Sequence, residues 1–278
     1  MSIYPKRCYV IGALVLATFV AAPARALILD WNAVTWSNAS PINGPGNNVT
    51  YSNSYDLNGD SQKDITVAVI AGSNNILTND PASGSMTPVI NESITGGQAA
   101  GQKSLMIAGD LFTHSDLTVQ LSFFGGYAGA NNVSFTIFDI DTTTNNDIIS
   151  GIYGVTANGT QIAPTVSNVG SNVNWTGTGL GQTLEGNGAS ANNTSNGNVT
   201  LNFGSTIITS VLFTFSNTAG APRYQDIAIG DITFTPVPEI NPAAASVVSC
   251  LAAAGLTLLM HRRRKEKVGV STPSAIKP

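Results

Sequence analysis

Cysteine and histidine are almost missing from this chain. Of its 278 residues, two are cysteines, Cys8 and Cys250, and two are histidines, His114 and His261. Both cysteines lie in apolar terminal segments, so the region between them holds no disulfide and must be stabilised by its core. His114 is the lone histidine of that region, which excludes a multi-histidine zinc site. A serine triad would have to be built on His114 with no Gly-x-Ser-x-Gly elbow in the sequence. Positive charge is scarce as well. Between Leu27 and Glu239, fifteen acidic residues face only Lys63, Lys103 and Arg223, a net charge of −12. A surface of this sign does not hold a nucleic-acid backbone, which needs clustered Lys and Arg; it attracts divalent cations instead. Only three of the acids are glutamates, Glu92, Glu185 and Glu239, which weighs against a glycosidase carboxylate pair. A secreted hydrolase is the least favoured class.

What the ends do contain is apolar sequence beside basic residues. Lys6 and Arg7 precede an apolar run over 9–22, and Ala24-Arg25-Ala26 has the small-x-small form of a signal-peptidase site. Residues 1–26 therefore read as a secretory signal peptide. Near the other end, residues 243–260 carry no charge. As a helix they would span about 27 Å, enough for a thin hydrocarbon core. Arg262, Arg263, Arg264 and Lys265 follow at once and would stay on the cytoplasmic side. The layout predicts an outward-facing ectodomain over 27–236, a sorting segment with a transmembrane helix over 237–265, and a cytoplasmic tail over 266–278.

Val237, Pro238 and Glu239, then the apolar helix, then Arg262, Arg263 and Arg264, resemble the C-terminal sorting signal of PEP-CTERM proteins of Gram-negative bacteria. Ile240 stands where that family usually carries its second proline. The resemblance implies recognition and processing by an exosortase, a membrane transpeptidase-like enzyme. It further implies a setting in exopolysaccharide-producing, biofilm-forming cells.

Within the ectodomain, apolar residues alternate or come in short β-branched and aromatic runs. Strands are expected over 65–70, 117–123, 133–137, 199–203, 211–215 and 227–234, with weaker ones over 49–55, 105–108 and 148–155. Gly, Asn, Ser and Thr abound while Lys, Glu and Leu are few, and no helical periodicity is long enough for crossovers between parallel strands. The fold class this implies is all-β: an antiparallel β-sandwich, jelly-roll-like, of about 8 to 12 strands. Segments 71–102 and 158–197, rich in Asn, Gly and Ser, are expected as long loops or irregular strands at one end, where binding sites usually sit.

Three sets of residues point to ligands. "DLNGDSQKD", residues 56–64, puts oxygen side chains at Asp56, Asn58, Asp60 and Asp64, a spacing that suits a hard cation. It resembles the calcium loop of FG-GAP repeats, by which those four would bind Ca2+ through side chains and Gln62 through its carbonyl. Asp139 and Asp141 would share a strand face, and with Asp231 they form a second possible calcium site. Trp175, in the Gly- and Asn-rich segment, is a possible glycan contact. The reading these features favour is a non-enzymatic, exported cell-surface or extracellular-matrix protein, calcium-stabilised and membrane-attached through its C-terminal helix. The alternative is a carbohydrate-binding adhesin module whose partner is an exopolysaccharide.

Overall fold

The computed structural model describes residues 25–38, 42–43, 49–72, 76–111, 116–142, 145–218 and 224–239. The signal segment up to residue 24, the apolar stretch 243–260, Arg262, Arg263, Arg264 and His114 lie outside the described residues. Among the described residues no helix is long and apolar enough to cross a membrane.

In chain order the strands begin β1 (Leu27–Leu29), β2 (Ile42–Asn43), β3 (Val49–Tyr55), β4 (Ile65–Ala71), β5 (Ile76–Leu77) and β6 (Val89–Asn91). Next come β7 (Ser104–Asp110), β8 (Leu117–Phe123), β9 (Tyr127–Phe138), β10 (Asp147–Val155), β11 (Gln161–Ile162) and β12 (Thr165–Ser167). The last are β13 (Val173–Thr176), β14 (Thr183–Gly186), β15 (Val199–Asn202), β16 (Ser210–Asn217), β17 (Tyr224–Ile229) and β18 (Ile232–Pro238). They form two nine-stranded antiparallel sheets. The first holds β1, β5, β6, β7, β9, β12, β15, β17 and β18; the second runs β13-β14-β10-β16-β8-β4-β3-β2, with β11 beside β10. The fold is a β-sandwich.

Period-two sequence makes the second sheet. β4 (ITVAVIA) and β8 (LTVQLSF) bury every other residue, so Ile65, Val67, Val69, Leu117, Val119 and Leu121 point inward. They meet Phe135, Ile137, Ile227, Ile229 and Phe234 of the first sheet in one core. Three ring pairs cross between the layers: Phe135–Phe213 at 6.1 Å, Phe123–Phe234 at 5.1 Å and Trp31–Tyr55 at 6.2 Å between centroids. Each adds about 0.5–1.5 kcal/mol beyond area burial. The first sheet is buried on both faces along part of its width. Leu105, Ile107, Ile227 and Ile229 face the core, whereas Met106, Ala108, Ala228 and Phe138 point outward under Ile94. The 71–102 segment thus covers an outer face that would otherwise be exposed and apolar.

The single strand expected over 227–234 is two. β17 and β18 both pair with β9, separated by Gly230-Asp231. The ladder is kept across the gap, because Gly230 N–H donates to Thr136 O at 2.9 Å. Trp31 fills the space beside it. Its indole N–H donates to Gly230 O (2.9 Å) and its backbone N–H to Asp231 Oδ1 (3.1 Å). A side chain at 230 would collide with the Phe138 ring, whose Cζ lies 2.7 Å from the Cβ position.

Trp31 is fully buried, so Trp31→Ala leaves a large cavity and orphans Gly230 O. Urea unfolding is expected to register a loss of about 3–5 kcal/mol.

Candidate binding site

β9 runs the length of the sandwich. Tyr127 pairs with Pro238 at one end, and Phe138 lies opposite Ala228 at the other. At the Phe138 end the two loop segments read from composition meet. Thr95 and Gly96 N–H donate to Asn192 O (2.9 and 3.0 Å), and Asn198 Nδ2 donates to Gly96 O (2.8 Å). Gly170 N–H donates to Asn198 O (2.8 Å) and Asn172 N–H to Asn196 O (2.9 Å). This close apposition is why 170 is glycine: a Cβ there would sit 2.1 Å from Asn196 O.

Between these segments and the outer face of the first sheet lies a groove of about 520 Å³. Its polar lining is Gln98, Thr136, Asn168, Ser171, Ser195, Asn196, Asn198 and Thr200, with Phe138, Val169 and Gly170 supplying apolar surface. Thr136 and Thr200 are cross-strand partners whose hydroxyls lie 2.9 Å apart, and Asn168 Nδ2 donates to Thr200 Oγ1 (3.3 Å). Asn168 holds its position through a left-handed backbone, φ 49°, a conformation asparagine tolerates better than most residues. None of the lining side chains is ionisable, in a region whose net charge is −12. The lining offers amide and hydroxyl donors and acceptors, and no general acid or base.

The acids gather beyond the groove floor. Asp139, next to Phe138, takes φ 64° and ends β9. Asp139 and Asp141 therefore come together through a turn, not through strand alternation. Their company is Asp147 and Asp226, whose charges act on them and on each other. Burial, then the charges of Asp141 and Asp226, push the Asp139 carboxyl up to about 8. Burial drives Asp147 well above the carboxylate range, although Asp141 N–H donates to its Oδ2 at 3.1 Å. Burial raises Asp226 to about 6, against the Tyr224 hydroxyl that donates to it at 3.1 Å. Burial raises Asp141 too, opposed by Ser190 N–H at 2.8 Å. Asp139 Oδ1 and Asp147 Oδ1 are buried without a hydrogen-bond partner.

Asp231, expected beside Asp139 and Asp141, is engaged elsewhere. It accepts from Trp31 N–H and from Gln102 Nε2 (3.2 Å), at the bulge. The bulge turns it out of the register that strand alternation would give. Asp226, which takes its place near the other two, escaped the sequence reading because it sits one residue before an apolar run that looked wholly structural.

The 56–64 loop folds on itself. Asp56 accepts from Gly59 and Ser61 N–H (2.7 and 2.8 Å), and Asp60 from Gln62 N–H (2.8 Å). The fully buried Asp64 accepts from Leu57 N–H (2.6 Å) and from Asn58 Nδ2 (3.3 Å). Asn58 Nδ2 also donates to Asp60 Oδ2 (3.1 Å) and Tyr127 OH (2.9 Å). Asn58 thus turns its nitrogen, not its oxygen, toward the carboxylates. Among the described residues no group of three or more His, Cys, Asp or Glu is arranged to hold a metal ion. The loop is closed by its own hydrogen bonds. Trp175 is 45 % exposed on β13, paired with Leu184 at the edge of the second sheet, outside the groove lining.

No family model matches this chain, and no curated protein matches it. Among solved structures, it is similar to a family 11 carbohydrate-binding module from Clostridium thermocellum in complex with a β-1,3-1,4-mixed-linked tetrasaccharide. That match has 11 % identity and a TM-score of 0.30, over 68 % of this chain and 97 % of that one. A second is the family 11 carbohydrate-binding module of a cellulosomal cellulase of the same organism, at 10 % identity and a TM-score of 0.23, over 79 % and 99 %. Likeness of that degree carries no inference about a ligand.

The acid cluster sets a pH dependence. Unfolded, Asp139 titrates near 3.8; folded, near 8. Between those values the folded state keeps a proton that the unfolded state has released, so stability falls as pH rises. The urea midpoint is expected to be lower at pH 8.5 than at pH 5.5. Asp139→Asn, which keeps the shape and tolerates the left-handed backbone, is expected to shrink the difference, with the buried Asp147 and Asp226 keeping the remainder.

Proposed function

We propose that this chain is a non-enzymatic, exported binding protein that takes a neutral polysaccharide in the groove between β9, β15 and the 168–171 and 195–198 segments. The observation that carries this reading is the absence of any ionisable side chain from the groove lining, in a region otherwise strongly acidic. A charged ligand finds no ion pair in such a lining, whereas a hydroxyl-rich neutral one meets donors and acceptors along its length. Phe138 and Val169 add apolar surface for the C–H faces of a sugar ring.

Affinity electrophoresis tests it. Migration is expected to be retarded in gels containing neutral glucans or galactomannan and unchanged in gels containing alginate. Asn168→Ala combined with Thr200→Val is expected to weaken retention tenfold or more, at about 1 kcal/mol for each hydrogen bond lost. Equal mobility in every gel would overturn the reading.

We also propose that the protein reaches the cell surface or matrix through the signal over 1–26 and the sorting segment over 237–265. The order of Val237-Pro238-Glu239, apolar run and Arg262, Arg263, Arg264 supports this. Mass spectrometry of the C-terminal peptide from fractionated cells is expected to find truncation near 238–241. An intact end at Pro278 would sink exosortase processing and leave a permanent anchor.

A further inference from the structure

The described chain enters and leaves the sandwich at one place. β1 lies antiparallel to β18, with Leu27 opposite Phe234, so the residues before β1 run alongside the last ones of β18. Arg25, Leu27, Pro236 and Pro238 line one small cavity of about 160 Å³ together with Asn58 and Tyr127. Glu239 N–H reaches back to Gly126 O at 3.4 Å. All of this surrounds the first residue of β9. The groove belongs to the other end of the same strand, at Thr136 and Phe138. Twelve residues separate the two ends inclusively, which at an extended rise is about 35 Å. The register agrees on both sides of β9: Pro238 stands opposite Tyr127, and Val199 opposite Ile137.

From this placement we infer that the domain is a bridge, held at the Glu239 end, where β1 begins beside it, and presenting the groove at the far end, so that attachment and polysaccharide binding take place together. The inference rests on the glycan-binding reading above. The surface near the attachment end differs in kind. It carries the 56–64 loop with Asp56, Asp60 and Lys63 exposed or partly exposed, whereas the groove lining is neutral. The groove and the chain's exit therefore lie at opposite ends of β9.

The test tethers the full chain from either end. In a Cys8→Ser, Cys250→Ala background, Gln62→Cys lies in the exposed loop at the attachment end, and Asn193→Cys lies exposed in the loop over the groove. Each is biotinylated and captured on streptavidin, and uptake of a high-molecular-weight neutral glucan is compared with binding by the same protein free in solution. Held through residue 62, the protein is expected to keep its full solution capacity; held through residue 193, to lose at least tenfold. Equal uptake from both tethers, or loss only through 62, would overturn the bridge while leaving glycan binding intact. Failure of the free protein to bind any neutral glucan would instead remove the reading on which the bridge rests, and the bridge with it.

Discussion

The first sheet depends on the pairing of one strand. β9 hydrogen-bonds β15 along one edge and both β17 and β18 along the other. Through β17 it holds β7, and through β18 it holds β1. A twelve-residue strand interrupted by Gly129, with φ 139°, and by Asn132, with φ 52°, gives the sheet its continuity and its irregularities together. Near its other end, at Ser134 to Phe138, two successive strands share it as partner, and the gap between them at Gly230-Asp231 receives Trp31. The core, the groove and the acid cluster are all fixed relative to this strand.

Much of the framework was legible in the sequence because alternation is a local signal. The stretches 117–123 and 49–55 coincide with β8 and β3, and 148–155 and 211–215 fall within β10 and β16. β2, β5, β6 and the strands from β11 to β14 are two to four residues long, too short for any periodicity, and their pairing is decided by what lies opposite. The bulge at Gly230-Asp231 was hidden for a related reason: Ile227 to Phe234 alternates well enough to pass for one strand, and only the Trp31 side chain, some two hundred positions away, explains the break.

The groove was legible as a location but not as chemistry. Composition marked 71–102 and 158–197 as irregular, and those segments do meet at one end. Which of their many Asn and Ser residues line a groove depends on Thr136 and Thr200, whose cross-strand pairing no local pattern announces. The acidic residues singled out for a metal in the 56–64 loop find other hydrogen-bond partners, which spacing alone does not reveal. Carboxylates in a tight loop, such as Asp56 and Asp60, find backbone N–H groups within two to five residues and are satisfied there. Burial instead pushes the carboxyls of Asp139 and Asp147 upward, toward the neutral form.

The antiparallel run of β18 against β9 has a mechanical consequence. A pull applied between the Phe138 end of β9 and Glu239 acts along the strands and across their interstrand hydrogen bonds. Bonds loaded in that direction share the force and must give way together, whereas a pull across the strands would peel them apart one by one. The same pairing that closes the sheet therefore sets it in shear, the stronger of the two directions, under any pull between these two ends.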